Sequence, residues 1–236
     1  MLDALLDDLR AEHDDLRRYV ATADLGLAVP AEPWDVRDTV SHLLVGDEKA
    51  LLAAAAPDAF AAELPQVIAD PQGFIDSWLE AGRHLSKEAL LERWTAGLEA
   101  LATAIGKVPE GTKIPWYGPP MSPASFATAR VMEYWAHGQD VVDALGVSRP
   151  PTARLRHICH LGYRTRGFSY AVRGLPVPEG EVRVSLVAPD GSTWEWGSGP
   201  DAVEGTAEDF ALRVTQRRHR RDTGLVATGP LADDWL

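Results

Sequence analysis

The sequence has 236 residues, enough for one large domain or for a main domain with a smaller appendage. Its 45% hydrophobic and 25% charged residues are usual for globular proteins and exclude a disordered chain. With 23 Lys and Arg against 35 Asp and Glu, the formal charge of −12 argues against a nucleic-acid partner.

The first 64 residues contain no sign of export or membrane insertion. Residues 1–20 alternate apolar and acidic side chains with a helical period, and they lack the features of a signal peptide. The alanine-rich segment 51–64 is interrupted by proline and acids, so it cannot form a membrane span. The single cysteine, Cys159, rules out an internal disulfide and indicates a reducing compartment. We therefore expect a cytoplasmic protein.

Two helices are predicted at the start of the chain. The apolar spacing over 2–20 predicts the first helix. Asp35 can cap a second helix over 36–56, which carries His42. Pro57 is expected to end it, with a loop running through Pro65.

Two further helical regions follow. Asp70-Pro71, a cap followed by proline, predicts a third helical region with a break near Gly82 and an end near 105. Residues 106–123 are too rich in proline and glycine for a regular element and are interpreted as a functional loop. Ser122-Pro123 then opens a fourth helix that ends at Gly146 and carries Glu133 and His137.

The pattern changes in the last third of the chain. Thr152 can cap a fifth helix ending at Gly174. Residues 181–197 alternate polar and apolar side chains around a turn at Asp190-Gly191-Ser192, which predicts a β-hairpin. A short strand, a helix capped by Thr206 and a last strand over 224–229 complete a small mixed region.

The fourth helix carries a possible pair of metal ligands. Glu133 and His137 are four residues apart, and at about 100° per residue their side chains lie within roughly 40° on one face. His42, on another helix, could complete a three-ligand site between helices of a bundle. The pattern alone leaves two other interpretations open, because such a pair can be a surface ion pair and His42 can be a core histidine.

A resemblance favours the metal site. The segment WDVRDTVSHLLVGDEKALL and the later segment RVMEYWAHGQDVVDALG together resemble the mycothiol-dependent maleylpyruvate isomerase family of the DinB-like metalloproteins. The matching features are a tryptophan before the second helix, a histidine within it, and Glu-x-x-x-His followed by Asp on the fourth helix. By position, the family's zinc ligands fall on His42, Glu133 and His137.

The resemblance implies an α+β, mainly α fold: a DinB-like helical bundle followed by a small α/β C-terminal region resembling the sterol-carrier-protein fold. The expected division is 1–149 for the bundle, 150–175 for a connecting helix and 176–236 for the C-terminal domain. The family also implies an arginine late in the C-terminal helix that holds an anionic substrate. Arg217 is the best match for this arginine and Arg218 the next.

Other side chains are candidates for the same site. Asp140, three residues after His137, and Asp38, four before His42, could orient a ligand or act as a base. Trp34, Trp116 and Tyr117 could wall a pocket for a cofactor, or they could equally fill the core. The basic run 217–221 could bind an anion, although such runs are more often solvated charge at a helix end, and the two histidines beside Cys159 are not expected to bind metal.

We therefore expect a zinc enzyme, or one with another divalent metal, that uses mycothiol or another low-molecular-weight thiol. Its reaction would be isomerisation of, or S-transfer to, a small anionic electrophile. A non-catalytic metal-dependent binding protein, a metal-assisted hydrolase and a purely structural protein are the alternatives. No membrane partner is expected, and the protein is expected to be a monomer or a homodimer.

Overall fold

The computed structural model describes residues 2–236, and the chain divides into two units, Met1–Ser148 and Arg149–Leu236. Helices account for 61% of the structure, and a four-stranded sheet lies near the C-terminus. The predicted mainly helical α+β class is confirmed. No helix within residues 2–236 has both the length and the apolar character that crossing a membrane requires.

Side-chain caps begin two of the long helices of the first unit. The Asp35 carboxylate accepts a hydrogen bond from the Asp38 N–H, and the Ser122 hydroxyl accepts one from the Ser125 N–H. Gly146 ends the last of these helices with a φ of 64°. The helices of this unit are α1 (Leu2–Thr22), α2 (Val36–Ala55), α3 (Pro57–Ala69), α4 (Pro71–Arg83), α5 (Lys87–Lys107) and α6 (Pro123–Leu145).

The segment after Pro57 is helical, so the predicted loop through Pro65 is wrong. Pro57 occupies the first turn of α3, where its missing N–H has no helical partner to lose. The alanines that follow favour a helix, and Pro65 lies inside it although proline is the poorest helix former. Phe60 is the fully buried anchor of this helix.

Helix α2 is central to the first unit. It packs against α3, α4, α5 and α6, while α1 packs against α5 and α6. The Arg37 guanidinium donates to the carbonyls of Gly82 and Leu85 at 2.9 and 2.8 Å, which fixes the link between α4 and α5 to α2. The predicted break near Gly82 is confirmed, and the packing brings α2 beside α6.

The second unit combines short helices with a mixed sheet. Its sheet order is β2-β1-β3-β4, with β1 antiparallel to β2 and parallel to β3, and with β3 antiparallel to β4. The predicted hairpin, both further strands and the Thr206 cap are confirmed. The elements are α7 (Leu155–Arg164), α8 (Arg166–Ala171), β1 (Val182–Val187), β2 (Thr193–Trp196), β3 (Asp201–Thr206), α9 (Ala207–Val214), a 3₁₀ turn (Arg220–Asp222), β4 (Val226–Thr228) and α10 (Pro230–Trp235).

The predicted fifth helix is divided, and its predicted cap is wrong. Helix α7 begins without a side-chain cap, and Thr152 contributes its backbone carbonyl to the Leu155 N–H instead. The helix breaks at Thr165, whose hydroxyl and N–H both bond to the Leu161 carbonyl. The sequence analysis also missed the 3₁₀ turn and α10, both of which are too short for a clear period.

Candidate metal centre

Three side chains of the first unit meet between α2 and α6. Each of His42, Glu133 and His137 offers one ligand atom, and these atoms lie within 4.8 Å of one another. Glu133 Oε2 is 3.6 Å from His42 Nε2 and 3.4 Å from His137 Nε2. Among residues 2–236 this is the one group of three or more His, Cys, Asp or Glu side chains with such a geometry.

These separations fit a metal-binding site. Ligand atoms bound to zinc at about 2.0–2.1 Å in a tetrahedron lie about 3.3–3.4 Å from one another. Two imidazole nitrogens and one carboxylate oxygen form a known zinc ligand set with a fourth position open to water or substrate. Iron, nickel and manganese accept the same set, so the donors do not select one metal.

The electrostatics favour the protonation states that coordination needs at two of the ligands, Glu133 and His42. Burial alone would raise the pKa of Glu133, but the His137 and His42 imidazoles and the Arg130 guanidinium hold it well below its ordinary value. The pKa of His42 is lowered chiefly by burial, which together with the charges of His137 and Arg130 outweighs the opposing effect of the Glu133 carboxylate. The carboxylate is therefore ionised, and the His42 ring is neutral.

Asp140 lies beside the far nitrogen of His137. Asp140 Oδ2 is 3.2 Å from His137 Nδ1, and the Asp140 side chain is only 6% exposed. A proton on Nδ1 that is donated to Asp140 leaves the Nε2 lone pair facing Glu133 and the metal position. Asp140 is thus in place to orient a ligand, whereas Asp38 lies 3.7 Å from the Arg83 guanidinium.

An aromatic wall covers the two histidines. The Trp34 ring centroid lies 5.0 Å from that of His42 and 5.8 Å from that of His137. The planes of the Trp34 and His137 rings are nearly parallel. Trp78 of α4, which the sequence analysis missed, lies 5.5 Å from His42. Trp78 is a buried residue of α4, but nothing in the sequence placed it beside His42.

Tyr117 and Trp116 belong to a series of ring contacts that leads to the triad. The Tyr117 ring is 6.3 Å from Trp78 and 4.7 Å from Trp116, and Trp116 stacks on Phe60 at 5.7 Å. Tyr117 is therefore linked to His42 through Trp78, and Trp116 is linked to His42 through Tyr117 and Trp78. The loop that carries them contains no regular element, as predicted, and an isolated bridge pairs Ile114 with Met121.

A buried polar network adjoins the triad, and the sequence analysis missed it. Arg130 Nη2 donates to Asp47 Oδ1 at 2.9 Å, and both side chains are almost completely buried. The Tyr134 hydroxyl donates to the other Asp47 oxygen and accepts from Trp94 Nε1 at 2.7 Å. Burial alone would lower the pKa of Arg130, but the Asp47 and Glu133 carboxylates raise it above its usual value. The sequence did contain one signal of this network, because Asp47 and Arg130 are charged residues within two largely apolar helices.

The remaining candidates belong to the second unit. Arg217 Nη1 donates to the Thr215 carbonyl at 2.7 Å, and Arg218 Nη1 donates to the Arg217 carbonyl at 2.8 Å. Both lie after α9, on the turn that leads to the 3₁₀ segment. Cys159 is fully buried, with its sulfur 3.4 Å from the Ala207 carbonyl.

Metal sites of helical-bundle proteins are built from side chains on facing helices, and the His, Glu, His set between α2 and α6 has this arrangement. The family model "Mycothiol maleylpyruvate isomerase N-terminal domain" matches residues 6–142, more than half of the chain. The chain therefore belongs to the mycothiol maleylpyruvate isomerase family.

Relatives and solved structures agree with this membership. The uncharacterized proteins MT0041 and Rv0036c of Mycobacterium tuberculosis, from strains CDC 1551 / Oshkosh and ATCC 25618 / H37Rv, are each 44% identical over 234 residues. The match covers 97% of this chain and 91% of each relative. A crystal structure of the mycothiol-dependent maleylpyruvate isomerase has a TM-score of 0.63 at 15% identity, and that of a mutant has 0.61 at 14%. Each covers 98% of this chain and 96% of its own, so the fold is shared.

Proposed function

We propose that this protein is a metal-dependent enzyme that uses mycothiol, or another low-molecular-weight thiol, on a small anionic electrophile. The reaction is isomerisation or S-transfer, and the metal, for which zinc is the first candidate, binds His42, Glu133 and His137. The convergence of these three ligand atoms within 4.8 Å carries the proposal. Membership of a family named for mycothiol and maleylpyruvate supports the thiol and the substrate class.

The triad residues and their neighbours have separate roles in this proposal. When bound, the metal supplies a Lewis-acidic position that lowers the pKa of a coordinated thiol. Glu133 contributes an ionised carboxylate, and Asp140 positions the His137 ring through Nδ1. Trp34 packs against both imidazoles and restricts their rotation.

The reacting thiol comes from outside the chain. Cys159 is the single cysteine of the sequence, and it is fully buried. Burial raises the pKa of its thiol well above the ordinary value, so Cys159 is neither accessible nor ionised at neutral pH. A thiol-dependent reaction in this protein therefore requires a thiol co-substrate.

Arg217 is our candidate for holding the substrate's carboxylate. A guanidinium forms paired, charge-assisted hydrogen bonds with a carboxylate, and Arg217 belongs to a basic run in an otherwise acidic chain. Substituting Arg217 with Lys keeps the charge but removes the planar pair of donors. We expect that change to raise the KM for an anionic substrate and to leave metal content unchanged.

Elemental analysis of the purified protein tests the metal site. We expect about one divalent metal per chain and its loss in His42→Ala. His84→Ala makes the same substitution at an exposed histidine after α4 and should retain the metal. Retention of full metal content in His42→Ala would contradict the ligand assignment.

Turnover assays then test the activity. Mycothiol with maleylpyruvate is the first pair to try, because both stand in the family's name. We expect turnover that stops with a chelator and returns when zinc is added. Metal-dependent hydrolysis that needs no thiol would replace the proposal with a hydrolase, and metal binding without any turnover would leave a binding protein.

A further inference from the structure

Two buried hydrogen-bond donors near the triad lack an acceptor among residues 2–236. Trp78 is 5% exposed, and its indole Nε1 is buried without a hydrogen-bond partner. The Tyr117 hydroxyl is also buried and unpartnered, and the two rings are neighbours, 6.3 Å apart. Because a buried donor without an acceptor costs about 1–3 kcal/mol, two of them on adjacent rings call for an explanation.

The position of these donors links them to the metal site. Trp78 lies 5.5 Å from the ring of His42, whose Nδ1 is the third unpartnered buried atom of this region. His42, Trp78 and Tyr117 thus form a continuous row of rings that begins at the ligand triad. Phe74 packs edge-on to both Trp78 and Tyr117 and closes the side of the row.

The local charges determine what kind of acceptor fits. The Glu63 carboxylate is close enough to raise the pKa of Tyr117, together with the larger effect of burial, so the phenol stays protonated and donates. Glu63 is itself paired with Lys49 at 2.6 Å, so the lysine's charge is already matched. These surroundings favour an uncharged oxygen as the acceptor. A second carboxylate would be repelled by Glu63, and Lys49 is already paired with Glu63.

We propose that Trp78 and Tyr117 form a ligand subsite beside the metal triad, where their N–H and O–H donate to a neutral carbonyl or hydroxyl oxygen of the thiol co-substrate. The inference rests on the proposed function and adds the recognition of its thiol. An anionic substrate such as maleylpyruvate would not use this subsite.

Removing each donor in turn tests the subsite in the metal-loaded, full-length protein. Tyr117→Phe and Trp78→Phe each remove a donor, and Tyr19→Phe removes a hydroxyl from α1, outside the aromatic row, as the matched control. We expect the first two to raise the KM and the calorimetric Kd for mycothiol about fivefold to tenfold, the effect of one neutral hydrogen bond. The KM for maleylpyruvate and the metal content should stay unchanged, and Tyr19→Phe should alter none of these values.

The melting temperature without ligand separates recognition from a structural role. Because the Tyr117 hydroxyl has no hydrogen-bond partner in the part of the chain that the structure describes, Tyr117→Phe should not lower Tm, whereas losing a protein hydrogen bond would lower it by about 2–4 °C. Such a decrease would overturn the subsite. Mycothiol constants within twofold of wild type, or a shift confined to maleylpyruvate, would also overturn it.

The same measurements distinguish this inference from the proposed function. Mycothiol binding that weakens in Tyr117→Phe, without turnover in the wild type, supports the subsite and refutes the enzyme. Normal turnover with unaltered constants in both variants refutes the subsite alone. A wild-type protein that binds neither mycothiol nor any other low-molecular-weight thiol refutes both.

Discussion

Asp140 Oδ2 lies 3.2 Å from Nδ1 of His137, on the ring edge opposite the nitrogen that faces Glu133. The two residues are three apart on α6, so the helix itself holds the carboxylate against the ring. This contact gives the proposed metal ligand a preferred tautomer and orientation before any ion binds.

Asp140→Asn should weaken metal binding without abolishing it. The amide cannot accept the Nδ1 proton as strongly, so we expect an affinity loss of about tenfold to a hundredfold. Competition with a chromophoric chelator measures the change. Asp143→Asn alters the same charge on the same helix, where Asp143 accepts from Gln139, and it should bind metal like the wild type. Equal affinities for all three proteins would show that Asp140 does not support the site.

The buried pair of Arg130 and Asp47 should contribute to stability as a unit. Asp47→Asn or Arg130→Met leaves the other charge buried without its partner, which costs about 3–5 kcal/mol of the free energy of unfolding. Urea unfolding of each single variant and of the double variant measures the coupling. We expect the double variant to lose clearly less than the sum of the single losses. Additive losses would mean that the two charges act independently.

The thiol of Cys159 should not react in the folded protein. Burial and a raised pKa both suppress the thiolate, so iodoacetamide at neutral pH should leave the native chain unmodified. Mass spectrometry before and after unfolding in urea checks this, because the unfolded chain should gain one carbamidomethyl group. Cys159→Ala should retain thiol-dependent turnover. Rapid native alkylation, or loss of activity with an intact fold, would make Cys159 a candidate nucleophile.

His13 should make stability depend on pH. Burial against Trp94 and Tyr134 lowers its pKa, so the unfolded chain binds this proton more readily than the folded one. The free energy of unfolding should therefore fall as the pH drops below about 6.5, by at most about 1.4 kcal/mol per pH unit from this group.

Urea unfolding between about pH 7.5 and pH 5 measures this dependence. His13→Gln should flatten the decrease, whereas the exposed His84→Ala should retain the wild-type slope. Identical slopes in His13→Gln and the wild type would assign the acid sensitivity to other groups.

Local chemistry was sufficient to predict where most elements begin and end. Asp35, Ser122 and Thr206 cap helices because their side chains accept backbone N–H groups, and this depends on residues only three positions away. Glu133 and His137 share a face of α6 for an equally local reason, the period of the helix. Where local signals conflicted, prediction failed, as in α3, where proline argued for a loop and alanine for a helix.

Tertiary structure alone decided which distant residues meet. The family resemblance pointed to His42, but only the packing of α2 against α6 puts its nitrogen 3.6 Å from Glu133. The same packing joins Arg130 to Asp47, and the packing of α4 on α2 brings Trp78 to His42. These contacts span 36 to 91 residues and depend on the whole arrangement of helices, so no local pattern in the sequence could reveal them.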